Sequence, residues 1–246
     1  MIERHETIGS TNDRAKELAR AGAPEGTIVL AEAQSAGRGR LGRSFHSPSR
    51  DGIYLSLILR PNCPPAKIMH LTCAVGVAAC DAIEDVTGFR PGIKWINDLV
   101  ANGKKLGGIL TELSIDSKTG LVDWVVVGIG INCNQSDFPP ELAGIACSLA
   151  QITGLAVDRS QLAEMLILQL HQIAPMLLSA QAEIMARYRA NCVTIGQDVT
   201  VIGSDSRRAK ALDVTDSGAL LVDYGDGVAQ AVNSGEVSVR GLLGYV

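Results

Sequence analysis

Apolar positions in this chain follow a helical period in three places and a strand period in many more, and the mixture changes near residue 191. Ser10, Thr11 and Asn12 carry side-chain oxygens able to accept from the free N–H groups of a helix start. A helix is therefore expected over residues 13–21, ended by Gly22. Strand patterning follows over 27–33, a loop over 34–51, and a strand over 53–59 closed by Arg60-Pro61. Residues 66–86 are long, apolar and rich in alanine, which predicts a largely buried helix. Strand-like runs recur at 92–95, 98–101, 105–113 and 124–131, with Asn102-Gly103 a tight-hairpin signal between two of them. Leucines and isoleucines at helical spacing predict a second long helix from 160 to about 190.

Beyond Asn191 only short β-runs remain, at 199–202, 208–214, 219–222, 228–232 and 237–239. Gly203-Ser204, Asp216-Ser217-Gly218, Gly225-Asp226-Gly227 and Ser234-Gly235 separate them, a spacing that suggests a small barrel. The boundary is placed there, giving domains 1–190 and 191–246.

Composition narrows the function classes. With 46% hydrophobic and 20% charged residues, the chain can bury a core and does not resemble a disordered one. A net charge of −4 argues against a broad basic face for duplex DNA. Met1-Ile2-Glu3-Arg4-His5-Glu6 is too polar for a signal peptide, and no apolar stretch is expected to reach membrane-spanning length. The six cysteines form no Cys-x-x-Cys pair, so reduced thiols in the cytoplasm are expected.

Against that acidic background, Gly37-Arg38-Gly39-Arg40-Leu41-Gly42-Arg43 stands out as a local positive feature. Glycine and arginine in alternation make a poor helix and a poor strand, so a mobile loop is expected. Each guanidinium presents a flat fork of donors suited to phosphate or carboxylate. A solvated basic loop is the plainer reading of this run alone. Lys94-Trp95-Ile96-Asn97-Asp98 can be read as a strand end and a turn, Lys105 as a solvated lysine, and Gly128 and Gly130 as a bulge. Taken together, these are the parts needed to bring a carboxylate to a nucleoside triphosphate: cations for phosphate charge, Asp98 for magnesium, and bare backbone for an apolar ligand.

In order and spacing, the run Ser10-Thr11-Asn12, the segment from Glu32 and Gln34 to Arg43, Lys94-Trp95-x-Asn97-Asp98, Lys105-Leu106-x-Gly108-Ile109-Leu110 and Gly128-x-Gly130-Ile131-Asn132 resemble bacterial biotin protein ligases. The resemblance implies an α+β fold: a mixed, largely antiparallel sheet related to class II aminoacyl-tRNA synthetases, plus an SH3-like barrel. It implies that biotin's carboxylate attacks the α-phosphate of ATP, that biotinyl-5′-AMP stays bound, and that a lysine of a biotin carboxyl carrier protein then displaces AMP. Carried over by position, Ser10, Thr11, Asn12, Gln34, Arg38, Gly39, Arg40, Lys105, Gly128 and Gly130 would bind biotin. Arg40, Arg43, Phe45, Lys94, Asn97 and Asn132 would bind nucleotide, Asp98 would hold the Mg2+ that comes with ATP, and Lys105 and Arg40 would carry catalysis. The chain departs from the family pattern at Ile96, Gly107 and Phe45, where proline, alanine and tryptophan are usual.

Because Ser10-Thr11-Asn12 begins almost at the first residue, no winged helix-turn-helix and no specific DNA binding are expected, nor any membrane partner. A homodimer is admitted. The rival readings are a ligase for another carboxylic acid such as lipoate, and a non-catalytic sensor of biotin or its adenylate.

Overall fold

The computed structural model describes residues 1–203, 205–234 and 238–241. The first part of the chain runs β1 (Ile2–Ile8), α1 (Thr11–Arg20), β2 (Ile28–Gln34), β3 (Gly52–Leu59), α2 (Leu71–Thr87), β4 (Gly92–Lys94) and β5 (Asp98–Ala101). Then come β6 (Lys104–Ile115), β7 (Val122–Asn132), α3 (Pro140–Ala143), α4 (Leu149–Thr153), α5 (Arg159–Ile173) and α6 (Gln181–Asn191). The last part is all strand: β8 (Asp198–Ile202), β9 (Ser206–Val214), β10 (Leu220–Asp223), β11 (Ala229–Val232) and β12 (Ser238–Gly241).

The first seven strands form one sheet in the order β1-β2-β3-β7-β6-β5-β4. Only β1 and β2 run parallel; the other pairs are antiparallel. One face carries Leu55, Leu57, Val125, Val127 and Ile129 into a core shared with α2, α5 and α6. Over the other face lies α1, whose Ala15 and Ala19 pack with Val29, Ile58, Trp124 and Val126. Covered on both sides, β3 is buried along its whole length and shows no alternation. Helix α1 stops short of the far end of β7, and there the register sets Gly130 between Tyr54 and Gly108 and Gly128 between Ser56 and Leu110. This side-chain-poor floor is where the cleft lies.

The C-terminal strands make a separate antiparallel sheet, β11-β10-β9-β8-β12. It is tied to the first domain by Trp95 Nε1 donating to the Gly218 carbonyl over 2.9 Å and by Val193 N donating to the Ile93 carbonyl over 3.0 Å.

Several expectations are refined. Strand β1 was not foreseen: its charged residues sit at a sheet edge, where only one side needs a partner, so the apolar signal is thin. The helix expected from 66 begins instead as a 3-10 turn, Pro65–Ile68, before α2. Contrary to the expectation about apolar length, Pro65–Thr87 is long and apolar enough to cross a membrane, but 72% of that window is buried within the protein. It is a core helix. The helix expected over 160–190 is two, α5 and α6, parted by a 3-10 turn carrying Pro175, which has no N–H to continue the ladder. The glycine-arginine loop is not featureless: Arg38 bridges Ser44 and Arg40–Gly42 forms a 3-10 turn. Of the expected C-terminal features, Ser204, Gly235 and Val237 lie outside the described residues.

Candidate active site

The floor of the cleft is built from glycine because side chains from elsewhere occupy the space above it. A Cβ on Gly128 would lie 2.0 Å from Asn12 Oδ1, and one on Gly130 would lie 2.5 Å from the Phe45 ring. Neither neighbour can be accommodated alongside alanine without moving. Phe45 in turn meets Tyr54 edge to face, with centroids 6.4 Å apart.

One wall is polar and starts at the N-terminus of α1. The Thr11 backbone N–H donates to Gln34 Oε1 over 2.9 Å, and the Thr11 hydroxyl reaches the same oxygen over 3.1 Å. Gln34 Nε2 donates to Ser47 Oγ over 2.9 Å. Beneath them, fully buried Ser56 donates to Asn12 Oδ1 over 2.6 Å and lies 2.8 Å from Thr11 Oγ1. Asn12 Nδ2 donates to Glu112 Oε2 over 2.9 Å. The result is a lining of amide and hydroxyl groups held in place by one another.

The opposite end is cationic, and Lys105 and Arg40 are each held by oxygens of the protein. Lys105 Nζ sits 2.6 Å from Asp98 Oδ1. Arg40 donates to Asn97 Oδ1 over 3.0 Å and also to the Ser234 carbonyl of the C-terminal domain. Burial holds the Arg40 guanidinium below its ordinary value; the charge of Asp98 opposes that and the nearby Arg43 adds to it. Arg38, exposed on the loop, pairs with Asp13 over 2.5 Å, and that hydrogen bond raises its pKa.

Two compartments meet here. The first, about 440 Å³ with its open mouth included, is lined by Thr11, Asn12, Gln34, Arg38, Gly128 and Gly130, among others. The second, about 1530 Å³ and open to solvent, is lined by Arg43, Lys94, Trp95, Asp98 and Val239 of the C-terminal domain, among others. Gly39, Arg40, Phe45, Asn97 and Lys105 line both.

Of the residues singled out from sequence, all but two line this cleft. Ser10 caps α1, its hydroxyl accepting from Asp13 N, and Asn132 is buried with its Nδ2 on the Cys147 carbonyl. Neither is part of the lining. Sequence reasoning missed Ser56, Ser47 and Glu112. Ser56 carries a signal in retrospect, as the one small polar residue within the apolar run Ile53 to Leu59. At the position where the family pattern has proline, the peptide bond joining Trp95 to Ile96 is cis.

A polar-walled compartment opening through shared arginine and lysine onto a cationic one is the arrangement of an enzyme that joins two ligands, at least one of them anionic. The chain belongs to the biotin/lipoate A/B protein ligase family, whose profile matches residues 5–132; that of the biotin protein ligase C-terminal domain matches 194–240. It is 39% identical over 230 residues to the bifunctional ligase/repressor BirA of Bacillus subtilis, covering 91% of this chain and 70% of that one. It is 35% identical to the biotin–[acetyl-CoA-carboxylase] ligase of Mycobacterium tuberculosis, covering 93% and 85%. The biotin protein ligase of Aquifex aeolicus, solved in complex with biotin and ATP, superposes with a TM-score of 0.84 at 27% identity over 98% of each chain.

Proposed function

We propose that this chain is an ATP-dependent biotin–protein ligase, with residues 1–190 catalytic and 191–246 a C-terminal domain completing the nucleotide side. The observation that carries the reading is the position of Lys105 and Arg40, which line both compartments at their junction. A carboxylate bound in the polar-walled compartment and an α-phosphate in the cationic one would meet at these two cations.

The first step joins a biotin carboxylate oxygen to the α-phosphorus and expels pyrophosphate. Thr11, Asn12 and Gln34 orient the biotin head group over the glycine floor, with Gly39 and Arg38 at the edge. Lys105 and Arg40 neutralise the charge that gathers between carboxylate and phosphate, where electrostatic stabilisation counts most. Lys94, Asn97, Arg43 and Phe45 hold the nucleotide. In the second step the carrier lysine's amine attacks the acyl carbon, AMP leaves, and the amine loses its proton to the surroundings.

Mg2+ bound mostly through phosphate oxygens and water needs only one or two protein carboxylates. Asp98, with the Asn97 amide beside it, fits that demand. No trio of His, Cys, Asp or Glu able to hold an ion without nucleotide occurs among the described residues. When bound, the ion would shield phosphate charge. A cytoplasmic setting accords with six free, buried cysteines.

Pyrophosphate release from ATP tests the reading when measured with biotin, with lipoate and with neither. Release with biotin alone is expected. Release with lipoate in preference would move the chain to the lipoate branch of its family, and no stimulation by either acid would refute the ligase reading.

A further inference from the structure

Glu112 lies on β6 outside the lining of either compartment, yet its carboxylate is at the centre of the polar wall. Oε2 accepts from Asn12 Nδ2 over 2.9 Å; Oε1 accepts from Lys16 Nζ over 2.9 Å and lies 3.5 Å from Arg38. Burial would raise its pKa, but the hydrogen bonds from Lys16 and Asn12 together with the charges of Lys16 and Arg38 outweigh that and hold it below the ordinary value, so it is ionised at neutral pH. An ionised carboxylate only accepts. So does the Leu110 carbonyl, 3.3 Å from the same Asn12 nitrogen. The atom facing both must therefore be Nδ2, and Oδ1 must face Ser56, just above Gly128. At the other end of the wall the Thr11 backbone N–H, which only donates, fixes Gln34 Oε1 in the same way.

We infer that Glu112 is a positioning residue for biotin, acting through Asn12: its one-way acceptor sets which end of the Asn12 amide the head group meets. The inference rests on the biotin ligase reading. A neutral glutamine of the same shape could offer an amide instead of a carbonyl, leaving only the longer contact with the Leu110 carbonyl to oppose a turned-over Asn12 that presents a donor where the ligand expects an acceptor.

The test is biotin binding by calorimetry, with KM and kcat for adenylation, in three proteins and one double variant. Wild type must bind biotin; if it does not, the functional reading itself fails. Given binding, Glu112→Gln should weaken biotin affinity and raise its KM by about tenfold while kcat stays within about twofold, the mark of lost ground-state positioning. In an Asn12→Ala background, adding Glu112→Gln should cost less than about twofold more. An equal cost of Glu112→Gln in both backgrounds would show a general charge effect and overturn the inference. A further reading needs no variant: the Asn12 side-chain amide protons of the wild type should exchange slowly with deuterated solvent with and without biotin. Fast exchange in both states would contradict a fixed amide.

Discussion

Lys105 and Gly128 mark the two kinds of residue on which the cleft depends, one by its charge and one by lacking a side chain. Lys105 is the ammonium at the junction of the compartments, and Lys105→Ala should leave a folded protein whose maximal adenylation rate falls by about 10²-fold or more. Single-turnover adenylation near the wild-type rate would remove Lys105 from the mechanism. Gly128→Ala places a methyl group 2.0 Å from Asn12 Oδ1, so Asn12 must leave its partners. Biotin affinity should fall by roughly tenfold, with a loss of about 1–3 kcal/mol in urea unfolding. These glycines were legible in the sequence as a place of close approach. What approaches first was not: Asn12 and Phe45 are 116 and 85 residues away along the chain, and only the register of β3, β7 and α1 brings them there. Glu112 was illegible for the same reason, since a glutamate near the end of a strand reads as solvated until Asn12 and Lys16 are seen on it.

Among the elements, the loop of residues 37–43 and strand β1 are each fastened by polar contacts of charged side chains. The loop is fastened by Arg38 to Asp13 and by Arg40 to Asn97 and Ser234. A bound adenylate offers a phosphate for which Arg40 can exchange those oxygens, and the loop would then shield the mixed anhydride from water. Arg40→Gly should therefore speed adenylate dissociation and promote biotinylation of bystander lysines, read by mass spectrometry of an added non-substrate protein. Unchanged adenylate retention would count against a closing loop. Strand β1 is pinned to α1 by Glu3, whose pKa the Arg14 hydrogen bond lowers from the usual 4.5 to about 2. A depressed carboxylate contributes stability that is complete above its unfolded value and is lost as pH falls through the folded one. The advantage of the wild type over Glu3→Gln in thermal unfolding should shrink as pH falls from 4.5 to about 2. A constant difference across that range would contradict the pairing. Helix and strand periods disclosed most elements, but not β1, whose stabilisation comes from charges that carry no period, nor the break at Pro175, where leucine spacing continues on both sides.

For the whole molecule, the C-terminal domain contributes to the second compartment, the one proposed to hold nucleotide. Val239 lines that compartment, the Ser234 carbonyl accepts from Arg40, and the Gly218 carbonyl accepts from Trp95. Trp95→Phe removes the donor and leaves that buried carbonyl unpaired, so stability should drop by roughly 1–3 kcal/mol. If the domain does complete the nucleotide site, the KM for ATP should rise with little change in that for biotin, and the reverse pattern would detach the domain from nucleotide binding. The existence of this small β domain was legible from its turn spacing, but its docking was not, because the contacts run through backbone carbonyls that any residue supplies. The most direct test of the central claim is covalent transfer: labelled biotin, ATP and Mg2+ are incubated with the protein and a biotin carboxyl carrier domain, and the carrier is isolated under denaturing conditions. Label is expected on one carrier lysine, dependent on ATP and abolished by Lys105→Ala. Label that appears without ATP, or that persists at the wild-type rate in Lys105→Ala, would contradict the claim.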